Sequence, residues 1–194
     1  MARPAQFDHQ QALEQSMYVF WENGYTHTSL QQLGERMNLR PGSLYGAFKS
    51  KRALFLQSLD LYFERSSALL AERLSRGDRA IEGIHYFFDA LVQDLITDDA
   101  HKGCLMINSA TELANQDEEI RQKLAHMFAN HEQQFSNRLM LAQAEGDVDI
   151  HRNANAMAQF LLMGVRGMKV YAQTERSPQV IRALAQQLIR FVAV

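Results

Sequence analysis

The sequence predicts an all-α protein: an N-terminal helix-turn-helix of three short helices, then a larger helical domain. Three observations carry this. Apolar residues recur at helical spacing along nearly the whole chain, few stretches alternate β-branched with polar residues, and proline and glycine stand where helices open and close. Pro41 and Pro178 each follow a residue suited to precede a helix, where the missing proline N–H costs nothing. Gly24, Gly77 and Gly146 each follow a long periodic segment, where glycine supplies a left-handed cap.

Asp8-x-x-Gln11 resembles a capping box and opens a helix to about Asn23, with Leu13, Met17, Phe20 and Trp21 inward. Thr28 or Ser29 caps a short helix carrying Leu30, Leu33 and Met37, and a brief helix runs from Pro41 to Phe48. Ser50 caps a long helix ending near Gly77. Further helices are expected at about 79–97, 103–114, 117–145, 153–173 and 178–192. The helix-turn-helix domain is placed at 1–50 and the larger helical domain at 51–194.

Composition excludes several classes. With 46% hydrophobic and 22% charged residues over 194, the chain is neither disordered nor fibrous. The single cysteine, Cys104, excludes an internal disulfide and a cysteine-rich zinc module. Residues 1–8 hold no apolar stretch fit for a signal peptide, and the run Phe160–Val165 falls far short of the roughly 20 residues that span a bilayer. A soluble cytoplasmic protein is expected, with no membrane partner and no cofactor.

Net charge is −2, yet residues 1–52 carry +2, and from Arg36 to Leu59 five cations stand with no acid. Charge alone leaves a solvated face open. The context points to nucleic acid. In a helix-turn-helix the second helix of the pair lies in the major groove, and here that stretch is Arg40-Pro41-Gly42-Ser43-Leu44-Tyr45-Gly46-Ala47-Phe48. Leu44 and Phe48 are four apart and fix it to the core, leaving Arg40, Ser43 and Tyr45 outward. Gly42 and Gly46 each cost about 1 kcal/mol relative to alanine in a helix, and they let the backbone approach a duplex.

The stretch from Thr28 to Lys51, with its small-residue helix ending Leu44-Tyr45-x-x-Phe48 and the lysine that follows, resembles the DNA-binding region of the TetR family of bacterial repressors. The resemblance implies an all-α homodimer on palindromic double-stranded operator DNA, with an inducer bound by the C-terminal domain. It implies phosphate contacts from Thr28, Tyr45 and Lys49 or Lys51. Arg40, Gly42 and Ser43 would then lie closest to the bases, with Pro41 also in the DNA-binding set and Arg3 reaching in from the arm. Tyr45 packing its ring in the core, and Arg40 on a phosphate rather than a guanine, stay open.

The last two helices carry broad apolar faces. Phe160, Gly164, Gly167, Met168 and Tyr171 mark one, and Leu184, Leu188 and Phe191 the other. A four-helix dimer interface is expected from them; burial within one chain is the alternative. Aromatic and methionine residues of the middle helices, Tyr62 and Phe87 among them, serve as core or line a pocket for a small apolar effector. Cys104 starts a helix beside Lys102, both of which favour thiolate. Its Gly103-Cys104-Leu105 setting is similar to a branch of the family that includes repressors responsive to electrophiles. An inert packed thiol is the other reading. A thiol enzyme would need a base and an orienting group, and no orienting group is evident, so no catalysis is expected. The histidines form no set of three plausible ligands, and no metal is expected. A constitutive DNA-binding protein without an effector completes the alternatives.

Overall fold

The computed structural model describes residues 8–98, 102–175 and 177–192. Those residues form nine helices and no strand: α1 (His9–Asn23), α2 (Leu30–Met37), α3 (Pro41–Phe48), α4 (Lys51–Leu74), α5 (Ala80–Thr97), α6 (Leu105–Leu113), α7 (Glu118–Ala144), α8 (Ala154–Tyr171) and α9 (Pro178–Val192). Each matches its expected helix to within a turn.

Side-chain caps explain most of the starts. Asp8, Ser50, Asp117 and Asn153 each accept a backbone N–H of the first turn. Of the two candidates before α2, Ser29 is the cap. Its hydroxyl accepts from Gln32 N at 3.1 Å, and Gln32 Oε1 accepts from Ser29 N at 2.7 Å, a full capping box. The glycines at 24, 77 and 146 all take positive φ.

Two hydrophobic cores meet on α4. Its N-terminal half gives Leu54, Phe55, Leu59 and Tyr62 to a core shared with α1, α2 and α3, and also with α6 and the first half of α7. Its C-terminal residues Leu70 and Leu74 enter a second core with α5, the rest of α7, α8 and α9. The two cores therefore meet along α4. Small side chains set the close crossings. Ser16 and Ser58 meet hydroxyl to hydroxyl at 2.9 Å between α1 and α4, both fully buried. On α5, Gly83 faces the end of α4, where a Cβ would overlap the Leu74 carbonyl.

Alanine at 83 is favoured over glycine by helix propensity by about 1 kcal/mol. We nevertheless expect Gly83→Ala to destabilise the protein, by about 1–3 kcal/mol, because the obstacle is backbone and the crossing must open. Urea unfolding of the variant against wild type measures it.

Candidate nucleic-acid interface

The turn between α2 and α3 is short because the backbone closes it. Asn38 takes the left-handed conformation, and Leu39 N donates to Gly34 O at 2.8 Å. Gly34 leaves room for this: a Cβ there would lie 2.8 Å from the Leu39 carbonyl oxygen. Leu33, Leu44 and Phe48 are completely buried and pin the second helix of the pair. Its opposite side faces solvent: Arg40, Gly42, Ser43, Gly46 and Lys49 are exposed, and Tyr45 is 48% exposed. Pro41 supplies the first residue of α3. Neither Gly42 nor Gly46 has an atom within 4 Å of where a Cβ would stand. Nothing inside the described protein requires these two glycines.

The cations of this region differ in how they are held. Arg40 and Lys49 have no ion-pair partner among the described residues. Lys49 closes α3 at φ 64°, ψ −47°, an uncommon backbone for a lysine. Lys51 lies half-buried with Nζ 4.4 Å from the centre of the Tyr25 ring. Arg52 turns away to Asp117 and Glu119 of α7, at 2.9 and 2.7 Å. Arg3 lies outside the described residues.

Thr28 differs from its expected role. It is 1% exposed, and its hydroxyl donates to Gly24 O at 2.6 Å, bracing the loop from inside while the neighbouring Ser29 caps α2. A phosphate contact from that side chain requires surface that it does not have.

The same loop is held from the second half of the chain. The amides of Tyr25 and Thr26 donate to the Glu112 carboxylate of α6 at 2.9 and 2.6 Å. Gly24 permits the approach, since a Cβ there would stand 2.9 Å from Glu112 Oε2. Burial works to raise the Glu112 pKa, but the hydrogen bonds from Thr26 and Tyr25 outweigh it and hold the carboxylate below its usual range. Trp21 of α1 reaches the other end of α6, its indole N–H donating to Lys102 O at 3.2 Å. Sequence gave no signal for Glu112, because its partners lie more than eighty residues away and are backbone amides.

Behind this contact lies a cavity of about 440 Å³, within the range of roughly 300–1,000 Å³ typical of small-molecule sites. Trp21, Tyr62, Leu91, His131, Val165 and Lys169 line it. Cys104 is the N-cap residue of α6, 6% exposed and packed beside Tyr62. Burial first, and then the neighbouring Cys104, push the Tyr62 phenol well above its ordinary range, so it stays protonated. Among the described residues no group of three metal-ligating side chains gathers, and no helix is long and apolar enough to cross a membrane.

The C-terminal helices divide the expected interface residues. Met168 is 3% exposed and belongs to the chain's own core, because it falls on the face of α8 turned toward the bundle. Phe160 stacks on Phe191 at 4.0 Å between ring centres, and Leu188 packs over Gly164, so these four join α8 to α9 within one chain. Gly167, Tyr171 and Leu184 face solvent. Met163, 60% exposed, and Val170 extend the outward face of α8, a strip that sequence reasoning missed in part.

Comparison with known proteins identifies the family. Residues 12–57 match the domain described as bacterial regulatory proteins, tetR family, and residues 80–187 match the C-terminal domain of LmrA/YxaF-like transcriptional regulators. The chain belongs to the TetR family of bacterial transcriptional regulators. It is 30% identical over 189 residues to the HTH-type transcriptional repressor ComR of Escherichia coli, covering 97% of this chain and 90% of that one. It is 32% identical over 162 residues to the uncharacterised regulator YezE of Bacillus subtilis, covering 83% and 84%. A cysteine-substituted form of the TetR family regulator CifR, solved with 26-bp double-strand operator DNA, superposes with a TM-score of 0.87 at 28% identity, over 98% of this chain and all of that one. The reduced form of E. coli NemR has the same fold, with a TM-score of 0.86 at 18% identity over 96% of each chain. The protein is therefore a TetR-type transcriptional regulator of the DNA-binding helix-turn-helix class, not an enzyme.

Two measurements follow from this geometry. Replacing Gly42 and Gly46 together by alanine meets no obstacle inside the protein and should raise stability by up to about 1 kcal/mol per site. Operator affinity should fall at the same time; a stabilised variant with unchanged affinity would exclude close backbone approach. His131 carries the pH dependence. Burial, then Lys169 and Arg166, depress its pKa from 6.5 to about 4. The unfolded chain then takes this proton more readily than the folded one. The contribution to stability is whole above pH 6.5 and drains away as the pH falls toward 4, by on the order of 3 kcal/mol in all. His131→Phe should flatten that part of the stability–pH curve.

Proposed function

We propose that this protein is a homodimeric cytoplasmic repressor that holds palindromic operator DNA until a small molecule enters the cavity behind α6 and lowers its affinity. The observation that carries the reading is the path from cavity to DNA-binding helices. Trp21 of α1 and, from the segment leading into α6, Lys102 and Gly103 are walls of the cavity, and Glu112 in the last turn of α6 holds the backbone immediately before α2. A ligand that fits better when α6 is displaced favours conformers in which the loop before α2 is released, and operator affinity falls by linkage. Arg40, Ser43, Tyr45 and Lys49 are the groups offered to DNA, with Gly42 beside the bases.

The dimer is supported by the outward strip on α8 and α9, where Met163, Gly167, Val170 and Tyr171 recur on one helical face beside Leu184. Two-fold symmetry of the protein then matches two operator half-sites. A second reading places the switch on Cys104. What favours it is that Cys104 begins the helix that carries Glu112, so a group added to sulfur would push α6 directly. Its burial beside Tyr62 favours the reversible ligand, with the thiol as packing.

One set of operator-binding measurements tests both. Met163→Glu with Leu184→Glu should yield a folded monomer by sedimentation whose operator affinity is lower by about a hundredfold or more, since the second half-site is lost. A stable dimer would remove α8 and α9 as the interface. Operator complexes of wild type and Cys104→Ser challenged with N-ethylmaleimide should both persist; release by wild type alone transfers the switch to the thiol.

A further inference from the structure

We propose that the cavity behind α6 takes a small amphipathic weak acid, its anionic head at Lys169 and its apolar body against Trp21 and Tyr62. The proposal rests on the effector reading above and names the ligand class. The walls supply the apolar part, with Leu91, Leu95, Leu162 and Val165 facing the two aromatic rings. Trp21 and Tyr62 meet edge to face at 4.9 Å between centres, so neither ring is free to swing across the space.

The charges around the cavity do not cancel. Arg73 and Asp94 neutralise each other through two hydrogen bonds, at 2.6 and 3.1 Å. Lys102 lies over Trp21 at 5.1 Å. Asp98, at the end of α5, has a partner of its own. Lys169 has no ion-pair partner among the described residues. Arg166, one turn before it on α8, is bound to Glu132 at 2.7 Å, which occupies that carboxylate. His131 opposite is held neutral, and its Nε2 is buried without a hydrogen-bond partner. A cation entering here meets the Lys169 ammonium, which no carboxylate offsets, and a neutral apolar molecule gains nothing from it. A carboxylate pairs with it, and a charge-assisted hydrogen bond is the strongest such a site can offer.

Trp21 is the single tryptophan of the chain and stands in the cavity wall, so its fluorescence reads occupancy without DNA. The test titrates the full-length protein with 4-phenylbutyrate and with its neutral counterpart 4-phenylbutyramide. The acid should change the emission saturably, and the amide should bind about tenfold more weakly. Lys169→Gln, with its helix content checked by circular dichroism, should bring the acid down to the level of the amide and leave the amide unchanged. Equal affinity for acid and amide overturns the proposal. So does the absence of a saturable change with either, or an acid preference that survives Lys169→Gln. Operator retention measured on the same samples separates the two readings. An acid that binds at Lys169 but leaves the operator complex intact keeps the ligand class and refutes the effector role.

Discussion

Twenty-four residues of unbroken helix, α4, belong to two hydrophobic cores at once. A rigid rod of that length spans some 36 Å at 1.5 Å per residue, so whatever tilts one end tilts the other. The DNA-binding helices α1, α2 and α3 pack on its first half, and the bundle of α5, α7, α8 and α9 on its end. Because α6 and the start of α7 are packed into the first core, the helix-turn-helix is never a free module. Its orientation is set by residues a hundred positions further along the chain.

Two polar contacts secure that coupling where apolar packing alone would let it slide. Arg52 at the start of α4 is bound to the N-cap residue of α7, and Glu112 at the end of α6 accepts two amides of the loop before α2. Both are charge-assisted, and both join elements far apart in sequence. Breaking the second costs two backbone amides their partner, which couples movement of α6 to the order of the loop that α2 grows from.

Local signals were legible in the sequence, and long-range ones were not. Asp8 and Ser50, Pro41 and Pro178, and the glycines at 24, 77 and 146 mark helix ends by chemistry acting over three or four residues, which is why helices among the described residues could be placed. The turn from Gly34 to Leu44 was equally readable, since Leu44 and Phe48 leave only one face to present. For Thr28 the resemblance implied a phosphate contact; only the path of the loop shows its hydroxyl turned inward to Gly24. Met168 was misjudged because an apolar stripe on α8 is wide enough to serve the core on one side and solvent on the other. Glu112, Lys169 and the unpartnered His131 have no sequence signature, since what distinguishes them is which groups three-dimensional folding puts beside them.

The run of five cations that first pointed to nucleic acid is not spent in one place. Arg52 is already neutralised by two carboxylates, and Lys51 rests on the Tyr25 ring. A cation paired inside its own protein displaces no counterion from a phosphate. The steepness with which affinity for DNA falls as salt rises should therefore reflect fewer ions than the sequence counts. Part of the electrostatic pull on DNA is given up for rigidity in the frame that presents α3.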